Sequence, residues 1–305
     1  MLWQGFACDN VINAEVVLAN GTITNANATS NPDLLAALKG GGNQYAIITK
    51  WTLKTHDVGD NGQIWGGTRT YTADKHSALL AAVSNFTANN KNPKAAIIPT
   101  FEFVRGGALN IPAGLVFFFY DGATPPAGLF AQFDAIPSLT NGTDTQSYNN
   151  LTQVAEAGKV EGLRFMIREN TFPNMPIANM SSFLNAHWDL INKQTLTETL
   201  SDFFDIQLFT FTPQPVNTLV AQASKNAGGD ALGLDPAHGD RIFMEYNVAW
   251  ASSACDKDCP SYFEKVVTSA YELHAQQYSG IKPTNYQSGD MSEIRYVANL
   301  QSLCF

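Results

Sequence analysis

The sequence has few charged residues and no cluster of positive charge. Of its 305 residues 15% are charged, and 27 acidic against 18 basic side chains give a net charge of −9 and a pI near 4.9. Proteins that bind a nucleic-acid backbone or an anionic membrane need a basic surface, because these partners are negatively charged. The composition therefore argues against nucleic-acid and membrane partners.

Long apolar runs are absent too. No stretch approaches the roughly eighteen apolar residues of a membrane span, and residues 1–20 lack the basic start and apolar block of a signal peptide. With 45% hydrophobic residues, the chain still holds enough apolar material for one large core or two ordinary ones. We expect a globular protein without a membrane span.

The common signatures of hydrolases and metal enzymes are missing. There is no G-x-S-x-G turn for a nucleophilic serine, and the histidines lack H-x-H or H-E-x-x-H spacing. Cys255 and Cys259 are spaced for a disulfide, which we favour over two free thiols, and two thiols alone do not form a structural zinc site. Cys8 is expected to be a small buried residue. No metal site is predicted.

The stretch from Gly5 to His56 is the most informative part of the chain. Branched apolar residues over Val11–Leu18, followed by Asn20-Gly21, predict a β-hairpin. A short helix is predicted from Pro32 to Lys39, with Ser30 or Asn31 as its cap. A strand is predicted over Tyr45–Lys54, with one face formed by Ile47, Thr49, Trp51 and Leu53.

A glycine triplet, Gly40-Gly41-Gly42, lies between this helix and this strand. Phosphate-binding loops of the Walker and Rossmann types place their glycines before a helix, so that the helix N-terminus faces the phosphates. Here the glycines follow the helix, which excludes both types. Spacing alone favours the interpretation that the triplet is a helix C-cap and flexible turn.

Five blocks of this stretch resemble, in the same order, the flavin-binding domain of berberine-bridge-enzyme-like FAD-linked oxidoreductases. That family belongs to the vanillyl-alcohol-oxidase superfamily, whose FAD-binding domain is of the PCMH type. The matching blocks are residues 5–11, 15–21, 31–34, 38–43 and 47–49, and a looser resemblance continues in residues 65–67, 94–100 and 119–122.

The resemblance implies a fold and a division of the chain. Residues 1–60 would form the C-terminal lobe of a PCMH-type FAD-binding domain, residues 61–283 a substrate domain, and residues 284–305 a partial return segment. The flavin-attachment lobe of the family is expected before Met1, which would make this chain N-terminally truncated. Helices and strands occur in groups, which favours an α+β fold with an antiparallel sheet flanked by helices.

The resemblance also implies a chemistry. FAD would oxidise a small-molecule alcohol or an activated C–H group, with molecular oxygen as acceptor. Tyr286, in the pair Asn285-Tyr286, would be the catalytic base, with Tyr120 as a weaker rival. The cofactor-binding residues would be Gly41, Gly42, Asn43, Ile47 and Ile48, mainly through backbone groups.

Six Asn-X-Ser/Thr triplets, together with a mostly secreted family, predict a secreted glycoprotein. One alternative of another class stays open at this point. The chain would then be a secreted ligand- or carbohydrate-binding protein without redox activity, whose aromatic strands line a cleft. Whether the chain alone is active is also open.

Overall fold

A computed structural model describes residues 4–106, 109–154, 162–197 and 205–277. Two antiparallel sheets and a set of helices make up these residues, in the predicted α+β class. The strands are β1 (Val11–Val17), β2 (Ile23–Asn27), β3 (Ile47–Leu53), β4 (Gln63–Thr72), β5 (Ala95–Gly106), β6 (Leu109–Tyr120), β7 (Thr140–Asn141), β8 (Asp144–Ser147), β9 (Arg164–Pro173), β10 (Ile206–Val216) and β11 (Arg241–Trp250). The helices are α1 (Pro32–Gly41), α2 (His76–Asn89), α3 (Ala131–Asp134), α4 (Tyr148–Val154), α5 (Ile177–Thr197), α6 (Thr218–Asn226) and α7 (Asp258–Gln277).

The smaller sheet has the strand order β2-β1-β3, and its β1–β2 pair is the predicted hairpin. Helix α1 packs on one face of it, where Ala14 and Val16 meet Leu35 and Leu38. The predicted side-chain cap of this helix is wrong. Asn31 has a left-handed backbone, and its Nδ2 donates to the Asn25 carbonyl oxygen at 2.9 Å instead of capping the helix.

The predicted common face of Ile47 and Trp51 is also wrong. Ile47 pairs with Val17 and Trp51 pairs with Ala14, and the register between β1 and β3 shifts between these two pairs. Because side chains alternate along β1, residues 14 and 17 point to opposite faces, and so do their partners. A β-bulge of this kind leaves no signal in the sequence of β3 alone.

The larger sheet has the strand order β7-β4-β6-β5-β10-β11-β9, and β8 also pairs with β4. Helices α2, α5 and α7 cover one face, here called the back face, and the opposite face is called the front face. Alternation along each strand buries large aromatic side chains against the helices. Members of this core include Phe101, Phe118, Phe183, Phe211 and Phe263.

The polar segment 137–149 contains β7 and β8, which pair along the edge of β4. Its side chains are largely exposed, so its polar composition is compatible with an edge strand as well as with a loop. Backbone pairing with β4 makes this segment an edge strand instead of a loop, and such pairing cannot be predicted from composition.

The predicted disulfide between Cys255 and Cys259 is confirmed, with a Cα–Cα distance of 5.3 Å. Cys8 is buried as expected, but it is disulfide-bonded. Within the described ranges, no helix combines the length and apolar character needed to cross a membrane. The boundary near residue 60 stays a prediction, and residues 284–305 lie outside the described residues.

Candidate functional site

A polar cluster lies in the middle of the front face. Glu102 on β5, Thr210 on β10 and Asn247 on β11 are directly opposite one another in register. Glu245 of β11 and Glu169 of β9 form the neighbouring cross-strand pair. Opposed residues on one face of an antiparallel pair have Cβ atoms about 4.5–5.5 Å apart. The strand register alone therefore brings these five side chains together.

Asn247 links two other members of this front-face cluster, Thr210 and Glu245. Its Nδ2 donates to Oγ1 of Thr210 at 2.8 Å and to Oε1 of Glu245 at 2.7 Å. Glu169 and Asn247 are 5% and 7% exposed, and Oε2 of Glu169 and Oδ1 of Asn247 have no partner among the described residues. Leaving a buried polar atom unpaired costs about 1–3 kcal/mol. The cluster thus contains two buried acceptor oxygens that no described residue satisfies.

The electrostatics of the cluster are set by burial. Desolvation, with a further contribution from the charge of Glu245, raises the pKa of Glu169 to about 7. Burial also raises the pKa of Glu102. Two carboxylates directly opposite each other repel, and a proton bound to one of them removes the repulsion. Near neutral pH, Glu169 can therefore take up or release a proton, as general acid–base catalysis requires.

An apolar recess of about 350 Å³ lies on the same face. Tyr148 and Leu151 of α4 form one wall, and Ile98, Phe119 and Gln214 of the sheet form the other. Gln214 is four residues from Thr210 on the same strand face, about 13 Å along β10. The recess has the size and the mixed lining of a site for a small organic molecule.

The segment before β1 and the end of α1 pack at one end of the front face. The ring of Phe6 stacks on Phe243 with centroids 6.0 Å apart. At the end of α1, the buried Lys39 donates from Nζ to the Ala227 carbonyl oxygen at 3.0 Å, and its own carbonyl accepts from the Ala231 N–H at 2.9 Å. Phe243 is two residues from Glu245 along β11, so this junction adjoins the front-face cluster.

The same junction contains a buried carboxyl group, Asp9, and a half-buried one, Asp230. Asp9 accepts from the Phe6 N–H at 2.7 Å, and Asp230 accepts from Oγ of Ser224 at 2.9 Å. Burial, with the Asp230 charge adding to it, raises the pKa of Asp9 to about 6, and burial also raises the pKa of Asp230. Cys8 lies near both carboxyls, but its disulfide removes the thiolate that a metal would need.

The five predicted flavin contacts differ in accessibility. Asn43 is exposed, Gly42 is half-buried and Ile47 is 70% exposed. Gly41 is buried, and Ile48 packs into the core beneath α1. Between Gly42 and Ile47, the accessible side chains are those of Asn43, Tyr45 and Ile47, and Ala46 is buried. The assignment of these residues stays a prediction.

The predicted catalytic base, Tyr286, lies outside the described residues. Its rival Tyr120 ends β6 and packs against the core of the back face, so it does not join the front-face cluster.

Sequence reasoning missed Glu102, Glu169 and Glu245, because they lie on three strands far apart in the chain. The available signal was a carboxylate inside an otherwise apolar strand, as in Phe101-Glu102-Phe103. A solvated side chain explains such a residue equally well until the register of the strands is known.

The chain is similar in sequence and in fold to known proteins. No protein-family profile matches it. An uncharacterized FAD-linked oxidoreductase of Arthroderma benhamiae is 36% identical over 258 residues, covering 83% of this chain and 48% of that protein. Several other relatives are named FAD-dependent monooxygenases, and the chain spans about half the length of the curated relatives it matches.

Two solved structures share the fold at low sequence identity. 6-Hydroxy-D-nicotine oxidase of Arthrobacter nicotinovorans aligns with a TM-score of 0.65 and 15% identity, covering 97% of this chain and 61% of that one. Berberine bridge enzyme of Eschscholzia californica aligns with a TM-score of 0.63 and 16% identity, covering 92% of this chain and 54% of that one.

Proposed function

We propose that this chain, which is related in sequence and in fold to the berberine-bridge-enzyme-like FAD-linked oxidoreductases, forms the substrate-facing part of an FAD-dependent oxidoreductase. The observation that carries the proposal is the front-face cluster. It holds two buried oxygen atoms, on Glu169 and Asn247, that have no partner among the described residues, and it shares its sheet face with a recess for a small organic molecule.

The chain's own residues would bind the substrate and manage its proton. FAD, when bound, supplies a hydride acceptor. The recess lined by Phe119 and Tyr148 would hold the apolar body of the substrate. Oδ1 of Asn247 would accept a hydrogen bond from the substrate, and Glu169 would accept the proton that an alcohol releases as its carbon loses hydride.

The finer part of the proposal is the identity of the reactants. We propose an alcohol or an activated C–H group as the reducing substrate and molecular oxygen as the final acceptor, which would yield peroxide. The support is the resemblance of the flavin-domain blocks. Relatives named monooxygenases make oxygen insertion the competing outcome, which a peroxide assay distinguishes.

The test is a titration of FAD with the purified chain, followed by flavin and tryptophan fluorescence. We expect saturable quenching, because a ring bound along Gly42–Ile47 lies on the sheet that carries Trp51. Ile47→Asp should weaken binding by about tenfold, since a charge there faces the bound ring.

Ile23→Asp is the matched control, because Ile23 is 68% exposed on the same sheet face, two strands away. It should bind FAD as the unchanged chain does. A chain that gives no saturable quenching would support the alternative, a ligand-binding protein without redox activity.

A further inference from the structure

A cleft of about 450 Å³ opens on the helical side of the large sheet, between the C-terminal half of α2 and residues 126–133. Asn85, Asn89 and Gln132 contribute amides to its lining, and the buried rings of Phe86 and Phe130 stack 5.9 Å apart beneath them. Among the described lining residues, the only charge is that of Lys91. Such a lining suits a neutral ligand with many hydrogen-bonding groups and apolar faces.

Asn85 begins one of the Asn-X-Ser/Thr triplets, Asn85-Phe86-Thr87. It is half-buried on the cleft wall, and within the described chain no hydrogen bond holds its amide. The other two residues of the triplet are used by the fold. Phe86 packs into the core, and Oγ1 of Thr87 donates to the Val83 carbonyl oxygen at 2.8 Å. Of the two polar side chains in the triplet, that of Asn85 lines the cleft.

We propose that Asn85 carries an N-linked glycan whose first N-acetylglucosamine units lie in this cleft. The transfer forms a bond between Nδ2 of Asn85 and C1 of the sugar, breaks the bond from C1 to a lipid-linked pyrophosphate, and releases one proton from Nδ2. No hydrogen bond to the described residues is lost, because the Asn85 amide makes none with them. The acetamido and hydroxyl groups of the sugar then meet the amides of Asn89 and Gln132.

Asn141 provides the matched comparison. It begins another such triplet and is exposed in the edge strand β7, where its Oδ1 accepts from the N–H of Thr143 at 3.1 Å and from its Oγ1 at 2.7 Å. It lines none of the described cavities. A glycan on Asn141 would project into solvent, whereas one on Asn85 would begin against protein.

The test is secretion of the chain from a eukaryotic host that leaves high-mannose glycans, followed by glycopeptide mass spectrometry. We expect Asn85 to be occupied. Endoglycosidase H should release the Asn85 glycan from the folded protein at least about tenfold more slowly than the Asn141 glycan, because the shielded sugars must first leave the cleft. After denaturation the two rates should be equal. Gln132→Ala should speed release at Asn85 alone.

An unmodified Asn85 in the folded secreted protein would overturn the proposal. Equal release rates at Asn85 and Asn141 in the folded protein would overturn it as well. Neither result depends on FAD, so this inference and the proposed oxidoreductase function succeed or fail separately.

Discussion

Single buried carboxyl groups, Asp9 at the junction and Glu169 on the front face, give this protein a specific dependence on pH. Both have a pKa raised chiefly by burial, to about 6 and about 7 respectively. A carboxyl whose pKa is higher in the folded than in the unfolded state binds more protons when folded. Its contribution to stability is therefore present at low pH and is lost as the pH rises through the folded pKa.

Asp9→Asn should stabilise the protein at neutral pH. The pKa of Asp9 rises from an ordinary value of 3.8 to about 6, so ionising it in the folded state costs about 3 kcal/mol between pH 4 and pH 7. The asparagine oxygen can still accept from the Phe6 N–H. Thermal midpoints should coincide near pH 4, and the variant should be higher at pH 7. A constant difference across this range would contradict the burial of an ionisable Asp9.

Glu169→Gln should separate stability from function. The difference in free energy of unfolding between this variant and the unchanged protein, measured in urea, should be about 3 kcal/mol larger at pH 8 than at pH 4.5, because the variant has no carboxyl to ionise there. Substrate oxidation by the FAD-loaded protein should fall at the same time. The pKa of Glu169 is raised by burial and, to a smaller extent, by the charge of Glu245. Glu245→Gln removes only that charge, so it should change the pH dependence of stability less than Glu169→Gln does. Full activity in Glu169→Gln would remove this residue from the proton-transfer step.

Among secondary-structure elements, the glycine triplet after α1 couples the small sheet to the rest of the protein. Gly40 has a φ of +138°, and a Cβ there would lie 3.0 Å from Cβ of Ala231 and 3.1 Å from the Leu232 N. The helix cap inferred from spacing is therefore only part of its role, because the same residues also form the docking contact with residues 227–232.

Gly40→Ala should destabilise the protein by about 1–3 kcal/mol, from backbone strain and from the displaced docking contact. Gly21→Ala is the matched control, because Gly21 also has a positive φ, +82°, but nothing lies within 4 Å of its Cβ position. Gly21→Ala should show the cost of backbone strain alone, so its loss of unfolding free energy, measured in urea, should be smaller than that of Gly40→Ala. Equal losses in the two variants would mean that the docking contact adds nothing.

Elements with a strong local pattern could be predicted from the sequence. The hairpin of β1 and β2, the helix α2 and the strand β11 all have apolar spacing that determines their type. The bulge in β3 and the edge strands β7 and β8 could not be predicted, because pairing with a distant strand creates them. The front-face cluster has the same origin, since the register of β10 places Glu102 and Asn247 on either side of Thr210.

For the molecule as a whole, the part of the chain that carries the small sheet contacts the large sheet through the segment before β1, where Phe6 stacks on Phe243. The family resemblance was readable from five ordered blocks, and the relatives bear it out. Substrate identity was not readable, because the recess and the cluster combine side chains from β5, β6, β9, β10, β11 and α4.

Hydrogen–deuterium exchange with and without FAD tests the central claim most directly. If the chain forms the substrate-facing part of an FAD-dependent oxidoreductase, saturating FAD should slow exchange in peptides covering residues 42–48 and in peptides covering β9 and β11. Exchange in the back-face helices α2 and α5 should stay the same. The claim would be contradicted if FAD left exchange unchanged both in residues 42–48 and in β9 and β11. It would also be contradicted if FAD slowed exchange only in the back-face helices.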